Sequence, residues 1–136
     1  MHIFAKCHKL KIVWDFFDEV MAMMNINFNF LHQRSSLHIY DFMHIRISDR
    51  MNFQLIIYLN TVINYHIWKY RNDCVHNAAK FEYTVLIARI LRTVGARRNW
   101  QKRLLTDSRK IIRIDDLYVT MLTIHNITSH VTDNMV

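Results

Sequence analysis

Glycine and proline are nearly absent from this chain, which has one glycine and no proline in 136 residues. Tight β-hairpins need residues that tolerate positive φ, and here asparagine and aspartate would have to supply almost all of them. Helices joined by polar turns do not have this requirement. The composition therefore predicts an all-α fold, a small irregular helical bundle of about four to five helices.

Long apolar runs and secretory features are also lacking. The most apolar stretch, residues 53–68, is interrupted by polar side chains such as Asn60 and His66, whereas a membrane span needs about 20 apolar residues. The N-terminal residues lack the small-residue cleavage site of a signal peptide. We therefore expect no membrane partner and an intracellular location, nuclear or cytoplasmic, in which Cys7 and Cys74 are free thiols.

Motifs that carry catalysis are missing as well. Phosphate-cradling loops, dinucleotide fingerprints and nucleophile elbows all need glycine at defined positions, and the chain has only Gly95. Asp115 and Asp116 have no third carboxylate placed to complete a two-metal site. We expect no enzymatic activity and no cofactor.

The residues that are present predict one helical domain over residues 1–136, because 51% of them are hydrophobic and 21% are charged. Apolar residues recur at helical spacing in residues 9–24, 51–70 and 78–105. The second of these segments is apolar on most sides. We therefore expect it to be the central and most buried helix.

The ends of these segments and the parts between them carry further expectations. Asn72 and Asp73 can adopt the left-handed backbone conformation that ends many helices, so we expect the second helix to end there. Gly95 costs about 1 kcal/mol relative to alanine and can bend or end the third. Residues 37–47 and 109–127 fit either a helix or a strand. For residues 37–47 a helix is favoured, because no partner strand is evident. For residues 109–127 helix and strand are nearly equally favoured.

Two short motifs carry a resemblance to a known family. His2, Cys7 and Trp14 form the pattern H-x4-C-x6-W, and residues 67–73 read Ile-Trp-Lys-Tyr-Arg-Asn-Asp. The first resembles the second half of the zinc-binding segment that follows the polymerase in non-LTR (LINE-type) retrotransposon reverse transcriptases. The second resembles the IW-x-x-RN helix of the region after that segment. The resemblance covers residues 1–105 and leaves 106–136 as an additional tail of uncertain structure.

This resemblance implies a truncated, non-catalytic C-terminal piece of such a reverse transcriptase. The family's upstream C-x2-C pair is missing before His2, and His8 follows Cys7 where the family commonly has proline. Because retrotransposon polyproteins must hold their own RNA and the target DNA, the resemblance implies weak, sequence-nonspecific binding to RNA or DNA. Loss of all function on truncation is a further reading.

Positive charge is concentrated in the third predicted helix and just beyond it. Residues 53–113 carry twelve Lys or Arg against three Asp or Glu, a local charge of +9 within the overall +7. Basic residues interleaved with an aromatic can neutralise phosphates and stack on an unpaired base. A solvated helical face would show the same pattern. The candidate nucleic-acid-binding residues are Arg89, Arg92, Arg97, Arg98, Trp100, Lys102 and Arg103.

The aromatic residues divide into expected core and contact positions. Trp68 lies on a mostly apolar helix, so we expect it to be buried and Trp68→Ala to cost about 3–5 kcal/mol. Trp100 lies among basic residues and should be exposed, so Trp100→Ala should destabilise the protein far less than Trp68→Ala. Arg71 is expected to pair with Asp73 near the helix end.

A protein-interaction module is the alternative function. A helical fragment that has lost its polymerase neighbour would expose the face once packed against it. Trp14, Phe17, Met21 and Met24 could then form an apolar face that drives homo-oligomerisation. Salt dependence separates the two functions, because phosphate contacts weaken steeply with salt and apolar association does not.

We predict that the purified chain holds no stoichiometric zinc. A structural zinc site needs four ligands, and His2 and Cys7 would supply only half of them. Metal analysis should find no zinc, and circular dichroism should show no loss of helicity when a chelator is added. One tightly held zinc per monomer would contradict this and would require other ligands such as His8.

Overall fold

A computed structural model describes residues 8–30, 50–104 and 108–134 of the chain. These residues form four helices and no strand, which confirms the predicted all-α bundle. His2 and Cys7, which match half of the family's zinc site, and the undecided segment 37–47 lie outside the described residues. The helices are α1 (His8–Met23), α2 (Arg50–His76), α3 (Tyr83–Leu104) and α4 (Ser108–Asn134).

The bundle is built around α3 and α4, because α1 and α2 each pack against both of these helices. The expectation that the second segment would be the central helix is therefore wrong. One side of α2 is buried through residues spaced three or four apart, and the other side remains outside the bundle. The core-facing residues of α2 are Leu55, Ile56, Leu59, Asn60, Ile63, Ile67, Tyr70 and Cys74.

The end of α1 is fixed by asparagine in the role that glycine usually has. Asn25 has a φ of 60°, and the N–H of Ile26 donates to the carbonyl of Met21 at 2.9 Å. This is the hydrogen bond that closes a Schellman turn. The chain then folds back on α1, and the ring of Phe30 stacks on that of Trp14 with centroids 6.1 Å apart.

The predicted end of α2 at Asn72 and Asp73 is wrong, because the helix continues to His76. The extra turn is stabilised from outside the helix, since Asp73 pairs with Arg89 of α3 and Cys74 is buried. Two residues after His76, Ala78 has a φ of 50° and turns the chain away from the helix axis. There the N–H of Ala79 donates to the Cys74 carbonyl at 2.8 Å, again as in a Schellman turn.

Gly95 neither bends nor ends α3, which continues through it to Leu104. A Cβ atom at this position would lie 2.8 Å from Cε2 of Tyr118 on α4, closer than two carbon atoms can pack. The glycine therefore lets α3 and α4 approach each other. Helix α4 itself spans 27 residues, which decides between helix and strand for residues 109–127.

The expected burial of Trp68 is wrong, because this side chain is 53% exposed. Its neighbour Ile67 occupies the buried position, and one residue along a helix turns a side chain by about 100°. The buried tryptophan is instead Trp14, which is 1% exposed. Trp100 is 46% exposed, as its basic neighbours predicted.

The apolar face proposed for self-association is also not available on α1. Trp14, Phe17 and Met21 are buried within the bundle, and Met24 packs partly against the core. The same helical spacing that indicated an apolar face therefore describes the side of α1 that packs on α3 and α4. An interaction surface would have to lie elsewhere.

We predict that Ala78→Gly stabilises the protein by about 0.5–1 kcal/mol. An alanine in the left-handed region pays a steric cost that glycine does not, and this outweighs the greater freedom of glycine in the unfolded chain. The measurement is urea unfolding followed by circular dichroism. Ala79→Gly is the matched control and should destabilise, because Ala79 does not have a positive φ.

We also predict that Trp14→Ala costs about 3–5 kcal/mol of unfolding free energy, because it leaves a cavity in the core. Trp68→Ala makes the same chemical change at a half-exposed position and should cost about 1 kcal/mol or less. Urea unfolding of both variants provides the comparison. Equal losses would contradict the burial pattern described above.

Candidate nucleic-acid interface

The seven candidate residues on α3 point in several directions around the helix. Each residue turns the helix by about 100°, so positions 92 and 103 share one side, while positions 98 and 102 lie about 80–140° around the helix from them. Arg92, Trp100 and Arg103 are exposed. Arg89 lies beside α2, and Arg98 and Lys102 lie beside α4.

Arg89 is neutralised by Asp73 of α2, since its Nη1 lies 2.8 Å from the carboxylate. This hydrogen bond is the main cause that lowers the pKa of Asp73, and Lys69, 3.4 Å away, lowers it further. The guanidinium also lies 4.6 Å from the centroid of the Tyr70 ring. These contacts tie α3 to α2, so Arg89 has a structural role.

Arg98 and Lys102 share one acidic partner on α4. The Nε atom of Arg98 forms an ion pair with Asp115, and the Lys102 ammonium lies 3.5 Å from the same carboxylate. The Arg98 guanidinium also lies over the Tyr118 ring, 5.1 Å from its centroid. Their charges thus contribute to packing between α3 and α4 and are partly cancelled.

Arg92, Arg97 and Arg103 keep their charge available to a ligand, because no described carboxylate forms an ion pair with them. The guanidinium of Arg97 lies between two rings, 4.8 Å from the Trp100 centroid and 5.9 Å from that of Tyr58. Such a cation–π arrangement holds the cation in place without cancelling its charge. The charge of Arg97 therefore lies against an exposed indole. Arg92 and Arg103 lie on the same helix, about 12 Å before and about 4.5 Å after Trp100 along its axis.

A cleft of about 370 Å³ opens beside this cluster, where α2, α3 and α4 meet. Its size lies in the range of about 300–1,000 Å³ that is typical of small-molecule sites. Two arginines enter it from different helices, Arg97 of α3 and Arg113 of α4, and no described lining residue is acidic. The described lining consists of Met51, Gln54, Leu55, Tyr58, Arg97, Trp100, Gln101, Arg113 and Ile114.

Three of the residues that line the cleft contain a buried polar atom without a hydrogen-bond partner. These atoms are the Tyr58 hydroxyl, Oε1 of Gln101 and Nε of Arg113. Burial raises the pKa of the Tyr58 phenol, while the charge of Arg97 lowers it. A buried polar atom that remains unpaired costs about 1–3 kcal/mol, so hydrogen bonds from water or from a polar ligand would stabilise these three residues.

Tyr58, Gln101 and Arg113 were not among the residues predicted from the sequence. A signal for Gln101 was present, because this polar residue continues the three-and-four spacing of Ile87, Ile90 and Val94 on the buried side of α3. Gln101 is 8% exposed. A polar residue at a predicted core position is a reason to look for a ligand or a hydrogen-bond network. No comparable signal marked Tyr58, whose role follows from the packing of α2 on α3.

Within residues 8–30, 50–104 and 108–134, no three His, Cys, Asp or Glu side chains are grouped so that they could hold a metal ion. None of the four described helices combines the length and apolar character needed to cross a membrane. No protein-family model, curated protein sequence or solved structure matches the chain.

Proposed function

We propose that this protein binds single-stranded RNA or DNA with little sequence preference. The contact surface comprises Arg92, Arg97, Trp100 and Arg103 of α3, hereafter the basic surface. The observation that carries the proposal is the exposed indole of Trp100 with the Arg97 guanidinium against its ring. Arg92 and Arg103 lie along the same helix, and none of the three arginines pairs with a described carboxylate. Cations supply phosphate contacts and an exposed indole can stack on any unpaired base, which together favour single strands.

The position of the neutralised cations supports the same choice of surface. Arg89, Arg98 and Lys102 face neighbouring helices and are held by Asp73 or Asp115. Binding a phosphate through them would require an existing ion pair to break. Arg92, Arg97 and Arg103, which have no ion pair with a described carboxylate, would instead release only their counterions. The basic surface would therefore be the part of α3 that binds a phosphate most favourably.

The resemblance described above supports the proposal from a separate direction. The H-x4-C-x6-W and IW-x-x-RN motifs are similar to those of LINE-type reverse transcriptases, and we propose that the chain is a truncated, non-catalytic C-terminal fragment of one. The basic surface lies in residues 1–105, the part that the resemblance covers. A residual affinity for nucleic acid is the capacity that such a fragment would keep.

We predict that the double substitution Arg92→Gln and Arg103→Gln weakens binding to a single-stranded oligonucleotide. The slope of log affinity against log salt should become shallower by about 0.7 for each phosphate that is no longer bound. The measurement is a fluorescence-anisotropy titration with oligonucleotides of different sequence at several salt concentrations. Circular dichroism should show an intact fold, because both side chains are exposed.

The matched control is the double substitution Arg71→Gln and Lys80→Gln. It removes the same charge, from the overall +7, through two exposed side chains outside the basic surface. This control should leave the salt slope unchanged. If both variants change the salt slope equally, the oligonucleotide is attracted by the net charge of the protein, and the basic surface is only a solvated face.

Self-association is the second candidate, and one side of α2 favours it. Tyr65, Trp68 and Val75 share this side at helical spacing and are 54%, 53% and 70% exposed. Apolar side chains that form a continuous exposed patch are typical of interaction sites. Sedimentation velocity at high salt separates the two functions, because association through this patch would persist where binding to phosphates is screened.

A further inference from the structure

The cleft between α2, α3 and α4 has a more specific composition than contact with a phosphate backbone requires. Backbone contact needs cations at the surface, and Arg92 and Arg103 meet that need. The cleft adds Gln101, which is more than nine-tenths buried and has an unpartnered Oε1. A buried carboxamide oxygen accepts hydrogen bonds, so it calls for a ligand that contains an N–H or O–H group.

The other unpaired atoms define the rest of the ligand. Nε of Arg113 is a donor and needs an acceptor, whereas the Tyr58 hydroxyl can donate or accept. A free phosphate would satisfy Arg113, and its remaining O–H group could donate to the Gln101 oxygen, but it would leave the apolar lining of the cleft uncovered. The ligand should therefore contain both a donor and an acceptor as well as a negative charge.

The flat apolar walls of the cleft place a third requirement on the ligand. Leu55 and Ile114 line the cleft together with the rings of Tyr58 and Trp100. Aromatic and guanidinium faces stack on nucleobases irrespective of sequence. The Arg97 guanidinium already lies over one face of each ring, so a base would lie against the other face of the exposed Trp100 ring, and the N–H groups of Arg97 would reach the phosphate.

We infer that the cleft binds one unpaired nucleotide of a bound strand. The base lies against the aromatic walls with its edge hydrogen-bonded to Gln101 and Tyr58, and Arg97 and Arg113 hold its phosphate. This inference rests on the proposed function and deepens it, since it assigns to the strand a single anchored residue beside the basic surface. A nucleoside monophosphate is then the smallest molecule that contains every recognised group.

The test follows the indole N–H signals of the full chain by NMR while adenosine monophosphate is added. The Trp100 signal, assigned by its disappearance in Trp100→Phe, should shift and saturate, whereas that of the buried Trp14 should not move. Adenosine, ribose 5-phosphate and inorganic phosphate should each bind about tenfold more weakly or worse, because each lacks one of the recognised groups. Equal binding of ribose 5-phosphate or of phosphate alone would overturn the inference.

Two variants test the named contacts. Gln101→Leu should weaken the binding of adenosine monophosphate about tenfold, because it removes the hydrogen-bond acceptor. It should also raise the melting temperature of the free protein, because it removes an unsatisfied buried oxygen. Tyr58→Phe removes a single hydroxyl and should also weaken binding of adenosine monophosphate. Thr84→Val removes a hydroxyl at an exposed position of α3 outside the cleft and should change neither property. Unchanged affinity in both Gln101→Leu and Tyr58→Phe would overturn the assignment.

The basic-surface variant separates this inference from the proposed function. The substitutions Arg92→Gln and Arg103→Gln lie outside the cleft. The double variant should therefore bind the oligonucleotide more weakly and bind the mononucleotide as tightly as the unchanged protein does. A chain that binds strands with a steep salt slope but never shifts Trp100 with the mononucleotide would overturn the inference alone. A chain that binds neither would overturn both.

Discussion

The close approach of α3 and α4 at Gly95 is the constraint on which the other features depend. The Tyr118 ring occupies the space that any larger side chain at position 95 would need. The same ring lies beneath Arg98, and Arg98 in turn forms an ion pair with Asp115, about one helical turn before Tyr118. These contacts fix how far α4 is shifted along α3. They place the beginning of α4 beside the C-terminal half of α3, where the cleft opens.

This arrangement of helices also divides the positive charge of α3 into two groups. One group faces α2 and α4 and is tied to Asp73 or Asp115, so it stabilises the contacts between helices. The other group, Arg92, Arg97 and Arg103, has no acidic partner among the described residues, and Arg97 lies against the Trp100 ring. A charge count from sequence treats both groups alike, although only the second can attract a phosphate without breaking an existing ion pair. The charge that matters for binding is therefore smaller, and more localised, than the overall value of +7 indicates.

The fold class followed from sequence because scarce glycine and proline leave helices as the accessible regular structure, and apolar spacing placed three of them. Details decided by neighbouring helices did not follow. Nothing local indicates that Asp73 meets Arg89 and lets α2 continue, or that Gly95 serves a close contact instead of a bend. The exposure of Trp68 was readable from the three-and-four spacing that includes Ile67. The partners of each cation required the packed structure, because they join residues far apart in the chain.

The central claim is that a nucleic acid strand lies across the basic surface and enters the cleft beside Trp100. The most direct measurement is photo-crosslinking of a single strand that contains 4-thiouridine, followed by mass spectrometry of the crosslinked peptides. We expect crosslinks in the peptides that contain Trp100 or Tyr58, with their yield falling as salt rises. Crosslinks confined to the Tyr65 and Trp68 side of α2, or a yield that does not depend on salt, would contradict the account.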